Sequence, residues 1–437
     1  MKKWQDRLGV VALVLSFLSV IGGVLHFYKV RSIYGAALVP FKLVYDALAP
    51  LMAGAGVLGS LLGYFSRSPI VTSAGILGGC LSGYYLLGIW APRKTTFAGS
   101  PERVGEIDAS ADVPAVPRRP LLRWLHSPKP RLNQNVTFGT AAGSDRPLFC
   151  DLWRPPEDVS PSGIAIIFFH LSAWFFLDKD MGTRAMFRHL ASQGHVVMDV
   201  SYRLCPETNW LGMNADARRA VAWMKANAAR YGADPARVVL TGGSAGGHLA
   251  LMTGYAPQVP ELTPDDLRDV DLSVRAMIAW YSPSDLRLCY SYQQSRFYKR
   301  IAEVDQWVRW LPDFGARLWH DLKFSAGWNA QQTLMDAFMG NVIGGPPSEF
   351  PEVYRLFSPV EYVGPHCPPT LLLHGDHDVL VSSEEMRALA RKLREVGVPF
   401  IQVEYPWTEH GFDLIFPQVS PVAQASLYEV DKFLALI

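Results

Sequence analysis

Arg237-Val238-Val239-Leu240-Thr241-Gly242-Gly243-Ser244-Ala245-Gly246-Gly247-His248-Leu249-Ala250 decides the fold. The apolar run 237–241 reads as a strand buried on both faces, and the stretch 248–254 continues a helix. Between them Gly242, Ser244 and Gly246 stand in G-x-S-x-G spacing. A chain that turns sharply from strand into helix needs crossing points free of side chains. Glycines two residues either side of the serine supply them. The hydroxyl is then left at the strand's end, where the helix dipole favours developing negative charge. Ser244 is therefore the candidate nucleophile, and the Ala245 N–H a candidate oxyanion donor. A dinucleotide or phosphate loop would carry G-x-G-x-x-G or Gly-Lys-Ser/Thr, and neither stands at this turn.

Outward from this turn, strand and helix patterns alternate. Runs at 135–140, 148–154, 164–169, 195–199, 274–280, 369–374 and 400–405 read as strands. Runs at 185–193, 215–231, 384–396 and 423–436 carry helical spacing. The alternation predicts an α/β domain over 133–437, a mostly parallel sheet flanked by helices. The connection from 286 to about 365 is far longer than an ordinary loop and mixes aromatic with basic residues, Tyr292, Phe297, Trp319 and Trp328 among them. It predicts a helical cap over the site, whose aromatic face would meet an acyl chain or a lipid surface.

A serine hydroxyl is a weak nucleophile until a base takes its proton, and the base needs an acid to orient it. Downstream of Ser244, the strand ending at 374 runs into Gly375-Asp376-His377-Asp378. The strand ending at 405 is followed by Glu409-His410-Gly411-Phe412. Both segments lie just past the C-terminal end of a strand, where such sites form. Asp378 is the expected acid and His410 the expected base. Asp376 and Asp413 compete for the first role, His374 and His377 for the second.

These residues resemble the hormone-sensitive-lipase-like and carboxylesterase branch of the α/β-hydrolase superfamily. The resemblance rests on the turn at 242–250, on Tyr202-Arg203-Leu204-Cys205-Pro206-Glu207, on His374-Gly375-x-x-Asp378-x-x-Val381 and on His410-Gly411-Phe412. It implies an α/β-hydrolase fold and a serine esterase that needs no cofactor and no metal. It also implies an oxyanion hole built from Ala245 and the backbone at Leu171 and Ser172. That branch carries His-Gly-Gly at the latter position; this chain has His170-Leu171-Ser172-Ala173-Trp174, with the Ser172 hydroxyl as a substitute donor.

The first ninety residues differ in character. The runs 8–28, 47–65 and 70–90 hold no Asp, Glu, Lys or Arg and are long enough to cross a hydrocarbon core. They predict a membrane domain over 1–94 with two to three transmembrane helices. Gly54, Gly56, Gly59 and Gly63 are expected to form a helix-packing face, as are Gly75, Gly78, Gly79 and Gly83. With three spans, the Lys and Arg balance of the flanks favours a cytoplasmic catalytic domain; two spans reverse that. A proline-rich linker is expected over 95–132, with a short interfacial helix at 121–125.

Lys+Arg is 41 and Asp+Glu is 40, so the chain has no field to gather nucleic acid. The cysteines are odd in number and far apart, which argues against a disulfide framework or zinc site. The sequence thus predicts a multi-pass, membrane-anchored, lipase-like serine carboxylesterase. Its partners would be a small-molecule or lipid ester and membrane lipid, and no protein partner is named. The alternative is a catalytically impaired hydrolase fold that serves as a membrane receptor or scaffold, which the altered 170–174 segment favours.

Overall fold

The computed structural model describes residues 2–32, 35, 37–103, 128–257, 259–309 and 313–437. Among the described residues, four helices open the chain: α1 (Lys2–Phe27), α2 (Val39–Ala47), α3 (Ala49–Phe65) and α4 (Pro69–Trp90). Arg7–Phe27 and Pro69–Trp90 are each long and apolar enough to cross a membrane. The α2–α3 pair makes a third if counted as one span, and it bends by 73° at the break. Pro50, in the first turn of α3, lacks the N–H that would continue one ladder through the break.

The helices pack through small residues. A Cβ added at Gly75 would lie 2.5 Å from Ser60 N, and one at Gly59 would lie 2.9 Å from Ser16 N. Gly56, Gly63 and Gly78 are equally tight against neighbouring backbone, whereas a Cβ at Gly79 would make only ordinary contacts. Gly54 and Gly83 face open space, so the expected packing faces lose one glycine each. Spacing alone does not say on which side of a helix a partner lies.

The remainder of the chain is built on a sheet of nine strands among the described residues. They are β1 (Arg93–Phe97), β2 (Arg131–Thr140), β3 (Pro147–Arg154), β4 (Gly163–Phe169), β5 (Val196–Ser201), β6 (Ala233–Gly243), β7 (Ala276–Trp280), β8 (Thr370–Gly375) and β9 (Phe400–Tyr405). Their order is β1-β9-β8-β7-β6-β4-β5-β3-β2. The six strands from β9 to β5 run parallel, and β1, β3 and β2 pair antiparallel at the two edges. With helices on both faces, this is the α/β-hydrolase fold.

Strand periodicity explains the two cores. Ala165, Ile167 and Phe169 of β4 face one layer, while Ile164, Ile166 and Phe168 face the other. The first layer holds α6 (Trp210–Tyr231) and α7 (Ala245–Tyr255). The second holds α5 (Arg184–Ser192) and α14 (Pro421–Leu436). Ala49, Tyr85, Leu86 and Ile89 of the N-terminal helices join the second layer, so its core runs without a break into the helical bundle. Each fully buried Val, Leu, Ile or Phe contributes about 1.5–3 kcal/mol. Helix α6 starts at Trp210, ahead of the expected 215, because the Asn209 side chain caps the Leu211 and Gly212 N–H groups.

The expected linker 95–132 is corrected at both ends. Arg93–Phe97 is an edge strand in register with β9, Thr95 opposite Gln402, and β2 begins at Arg131. Arg93-Lys94-Thr95-Thr96 is exposed at the sheet's edge, so no apolar alternation marks it as a strand. Residues 104–127, with the expected helix at 121–125, lie outside the described residues.

The cap follows β7. It comprises α8 (Leu286–Gln294), α9 (Ile301–Val308), α10 (Asp313–Ser325), α11 (Leu334–Val342) and α12 (Pro351–Leu356). Helix α13 (Ser383–Glu395) then lies between β8 and β9.

Candidate active site

Ser244 sits between β6 and α7 with φ 54° and ψ −123°, a conformation that L-residues rarely adopt. The surrounding glycines make it attainable. A Cβ at Gly242 would lie 2.5 Å from the Gly246 carbonyl carbon, and one at Gly246 would overlap the Phe169 and His170 carbonyl oxygens. The Ser244 N–H is held by Trp280 O at 2.9 Å, and the Ser244 carbonyl accepts from His248 N. Ala245 opens α7, where helix geometry leaves the first N–H groups without intrahelical partners.

Asp378 and His410 meet across 32 residues. His410 Nδ1 lies 2.7 Å from Asp378 Oδ2, and Asp378 Oδ1 accepts from Leu380 N and Val381 N at 2.8 Å each. Burial opposes the charge on Asp378. The facing His410 and His374 more than offset it and hold the carboxyl below the ordinary carboxylate range. The Tyr281 ring lies 4.5 Å from the His410 ring, and Tyr281 follows Trp280, the residue that holds the Ser244 N–H. The serine and histidine loops are thus linked through one strand end.

Among the competing residues, His374 shares Asp378 with His410, and the others have separate partners. His374 Nε2 lies 3.0 Å from Val381 O and 3.2 Å from Asp378 Oδ2. His377 Nδ1 lies 3.1 Å from Lys42 Nζ. Asp376 accepts from Trp407 N and faces Arg93. Asp413 accepts from Tyr281 OH, and burial pushes its pKa up to about 6.

The 170–174 segment departs from the expected arrangement. Tyr202 OH donates to His170 O at 2.8 Å, so the Ser172 hydroxyl, 2.7 Å away, gives its proton to Tyr202. The same oxygen accepts from Trp174 N at 3.0 Å. The Ser172 hydroxyl is therefore committed inside the loop and is not the substitute donor expected above. The left-handed positions fall at Ala173 (φ 48°) and Trp174 (φ 64°) rather than at 171 and 172. His170 stacks on Tyr202 with ring centroids 4.4 Å apart.

Two features escaped the sequence reading. From the cap, Tyr292 OH donates to Asp378 O at 2.6 Å and Gln293 Nε2 to Leu380 O at 2.9 Å, clamping the loop that carries Asp378. Phe175 and Phe176, just past the 170–174 segment, pack against Phe338 of the cap, and Phe338 in turn packs on Trp328. No motif signals either, since both join segments distant in sequence. All the cysteines are free, and among the described residues no cluster of His, Cys, Asp and Glu is arranged to hold a metal.

The sheet and the strand–serine–helix turn, with the loops of Asp378 and His410 at its strand ends, define an α/β-hydrolase of the hormone-sensitive-lipase-like, carboxylesterase branch. Residues 150–311 and 320–393 match the BD-FAE family profile, and the chain belongs to that family. It is 28% identical to the probable carboxylic ester hydrolase LipM of Mycobacterium tuberculosis over 65% of this chain and 57% of that protein. It is 27% identical to esterase LipC of the same organism, over 62% of this chain and 59% of that one. The chain thus spans less than two thirds of the length of these curated relatives. Among solved structures, a propionate-bound esterase from Thermogutta terrifontis, Est2, superposes with a TM-score of 0.48 at 23% identity. That likeness covers 70% of this chain and 94% of that one.

Proposed function

We propose that the chain is a membrane-anchored serine carboxylesterase that cleaves a lipophilic ester through an acyl-enzyme. One observation carries the reading: the 2.7 Å contact between His410 and Asp378, in a chain whose Ser244 stands at the head of a helix with φ 54°. Ser244 Oγ attacks the ester carbonyl as His410 Nε2 takes its proton. Asp378 fixes the His410 tautomer and stabilises the imidazolium. The oxyanion is met by the N–H groups of Ala245, Leu171 and Ser172. Collapse of the tetrahedral intermediate expels the alcohol, which leaves with the proton from His410. Water, deprotonated by His410, then releases the acid and restores Ser244.

The aromatic cluster of Phe175, Phe176, Trp328 and Phe338 supports an apolar acyl group. Helices α1 and α4 would hold the chain in the bilayer, and with three spans the flanking Lys and Arg favour a cytoplasmic hydrolase domain. The test is hydrolysis of short- and long-chain p-nitrophenyl esters by the detergent-solubilised full chain and by Ser244→Ala, with fluorophosphonate labelling of both. Turnover and labelling that vanish in the variant support the esterase. A folded wild type that does neither gives the lead to the receptor or scaffold reading.

A further inference from the structure

The N-terminal helices touch the two loops that carry Asp378 and His410. Lys42 of α2 is fully buried. Its Nζ lies 3.1 Å from Glu409 Oε1 and 3.1 Å from His377 Nδ1. Glu409 directly precedes His410, and His377 directly precedes Asp378. Lys29 Nζ donates to Asp376 O at 2.8 Å, on the same acid loop. Trp407, three residues before His410, packs on Phe27 at 4.9 Å and Tyr84 at 5.2 Å, in a space that a Cβ on Gly88 would close. Val30 and Val39 pack with Phe297 of the cap and Val379 of the acid loop. His26 Nδ1, 2.6 Å from Asp46 Oδ1, ties α2 back to α1.

A plain tether needs none of these contacts. Burying an ammonium is costly unless it is paired, so Lys42 requires both loops to be where they are. We propose that Lys42 is a positioning residue for Asp378 and His410, which makes the N-terminal helices part of the catalytic unit. The proposal rests on the serine-esterase reading above. Two protonation states fit the geometry. Burial, with Lys42 nearby, pushes the His377 pKa down to about 3, so its neutral ring accepts from the ammonium. Burial pushes Glu409 up to about 7 even with Lys42 opposing it, so this carboxylate depends on the lysine for its charge.

The test uses the full chain in detergent. Lys42→Met should lower kcat about 10- to 100-fold with KM within about twofold, the size expected of a displaced catalytic group. Lys42→Met/Glu409→Gln removes both charges and so guards against misfolding of the single variant. Its kcat should remain at least about fivefold below wild type, because the bond to His377 is still lost. Wild-type kcat in the folded double variant would overturn the proposal, since Lys42 would then only neutralise Glu409. Hydrogen exchange separates this result from failure of the esterase reading. In a Ser244→Ala background, Lys42→Met should speed exchange over 376–381 and 406–414. Unaltered exchange there counts against Lys42 whatever the wild-type activity.

Discussion

His410 Nδ1 lies 2.7 Å from one oxygen of Asp378, while the other oxygen accepts the Leu380 and Val381 N–H groups. One carboxylate therefore shapes its own loop and orients the imidazole of another. Asp378→Asn keeps a carbonyl for one of these tasks but presents the wrong group for the other. Its kcat should fall by roughly 1,000- to 10,000-fold with little change in KM. Steady-state kinetics on a p-nitrophenyl ester decides this, and a loss under tenfold would remove Asp378 as the acid.

The same pair sets a pH dependence of stability. The folded pKa of Asp378 is lowered, since His410 and His374 outweigh the burial that opposes its charge. Its stabilising contribution is then fully present above the unfolded value of about 4 and is lost as pH falls through the lower folded value. The gap in unfolding temperature between wild type and Asp378→Asn should be widest near neutral pH and shrink below about pH 4. A gap that widens in acid would contradict the ion pair.

Gly246→Ala should disrupt the turn, because its Cβ would overlap the Phe169 and His170 carbonyl oxygens. A loss on the order of 2–3 kcal/mol is expected, together with loss of fluorophosphonate labelling. Gly340→Ala in α11 is the control. Nothing lies within 4 Å of its Cβ position, and an alanine there should stabilise by about 0.5–1 kcal/mol. Thermal melts of both variants check the contrast.

Tyr202→Phe breaks the chain that runs from Ser172 through Tyr202 to His170 O. The 171–172 backbone is held by that chain, so kcat should fall about 10-fold, less than the roughly 100-fold cost of deleting an oxyanion donor outright. The stability cost should be about 1 kcal/mol. Unchanged kcat with the stability loss would mean that the chain braces the loop without aiming it.

Much of the fold was legible because burial on both faces leaves continuous apolar runs, as at 164–169 and 237–241. β1 was not, since an exposed edge strand needs no apolar residue. The packing glycines were half legible: Gly56 and Gly59 meet neighbours, while Gly54 and Gly83 meet none. Chain order set His410 apart from His374 and His377, while the resemblance of His374-Gly375-x-x-Asp378-x-x-Val381 set Asp378 apart from Asp376. Partners such as Tyr281 for Asp413 and Trp407 for Asp376 were invisible until the loops converged.

The sequence by itself determined the strand–serine–helix turn and the order of serine, aspartate and histidine. A positive φ and a missing Cβ are demands on residues a few positions apart, and such demands leave a local signature. The tertiary structure alone decided that the Ser172 proton goes to Tyr202, and that Lys42 reaches Glu409 across 367 residues. A lysine between two apolar runs reads as the end of a helix span. Only packing that removes it from water, with a carboxylate and an imidazole as its partners, makes it part of the site.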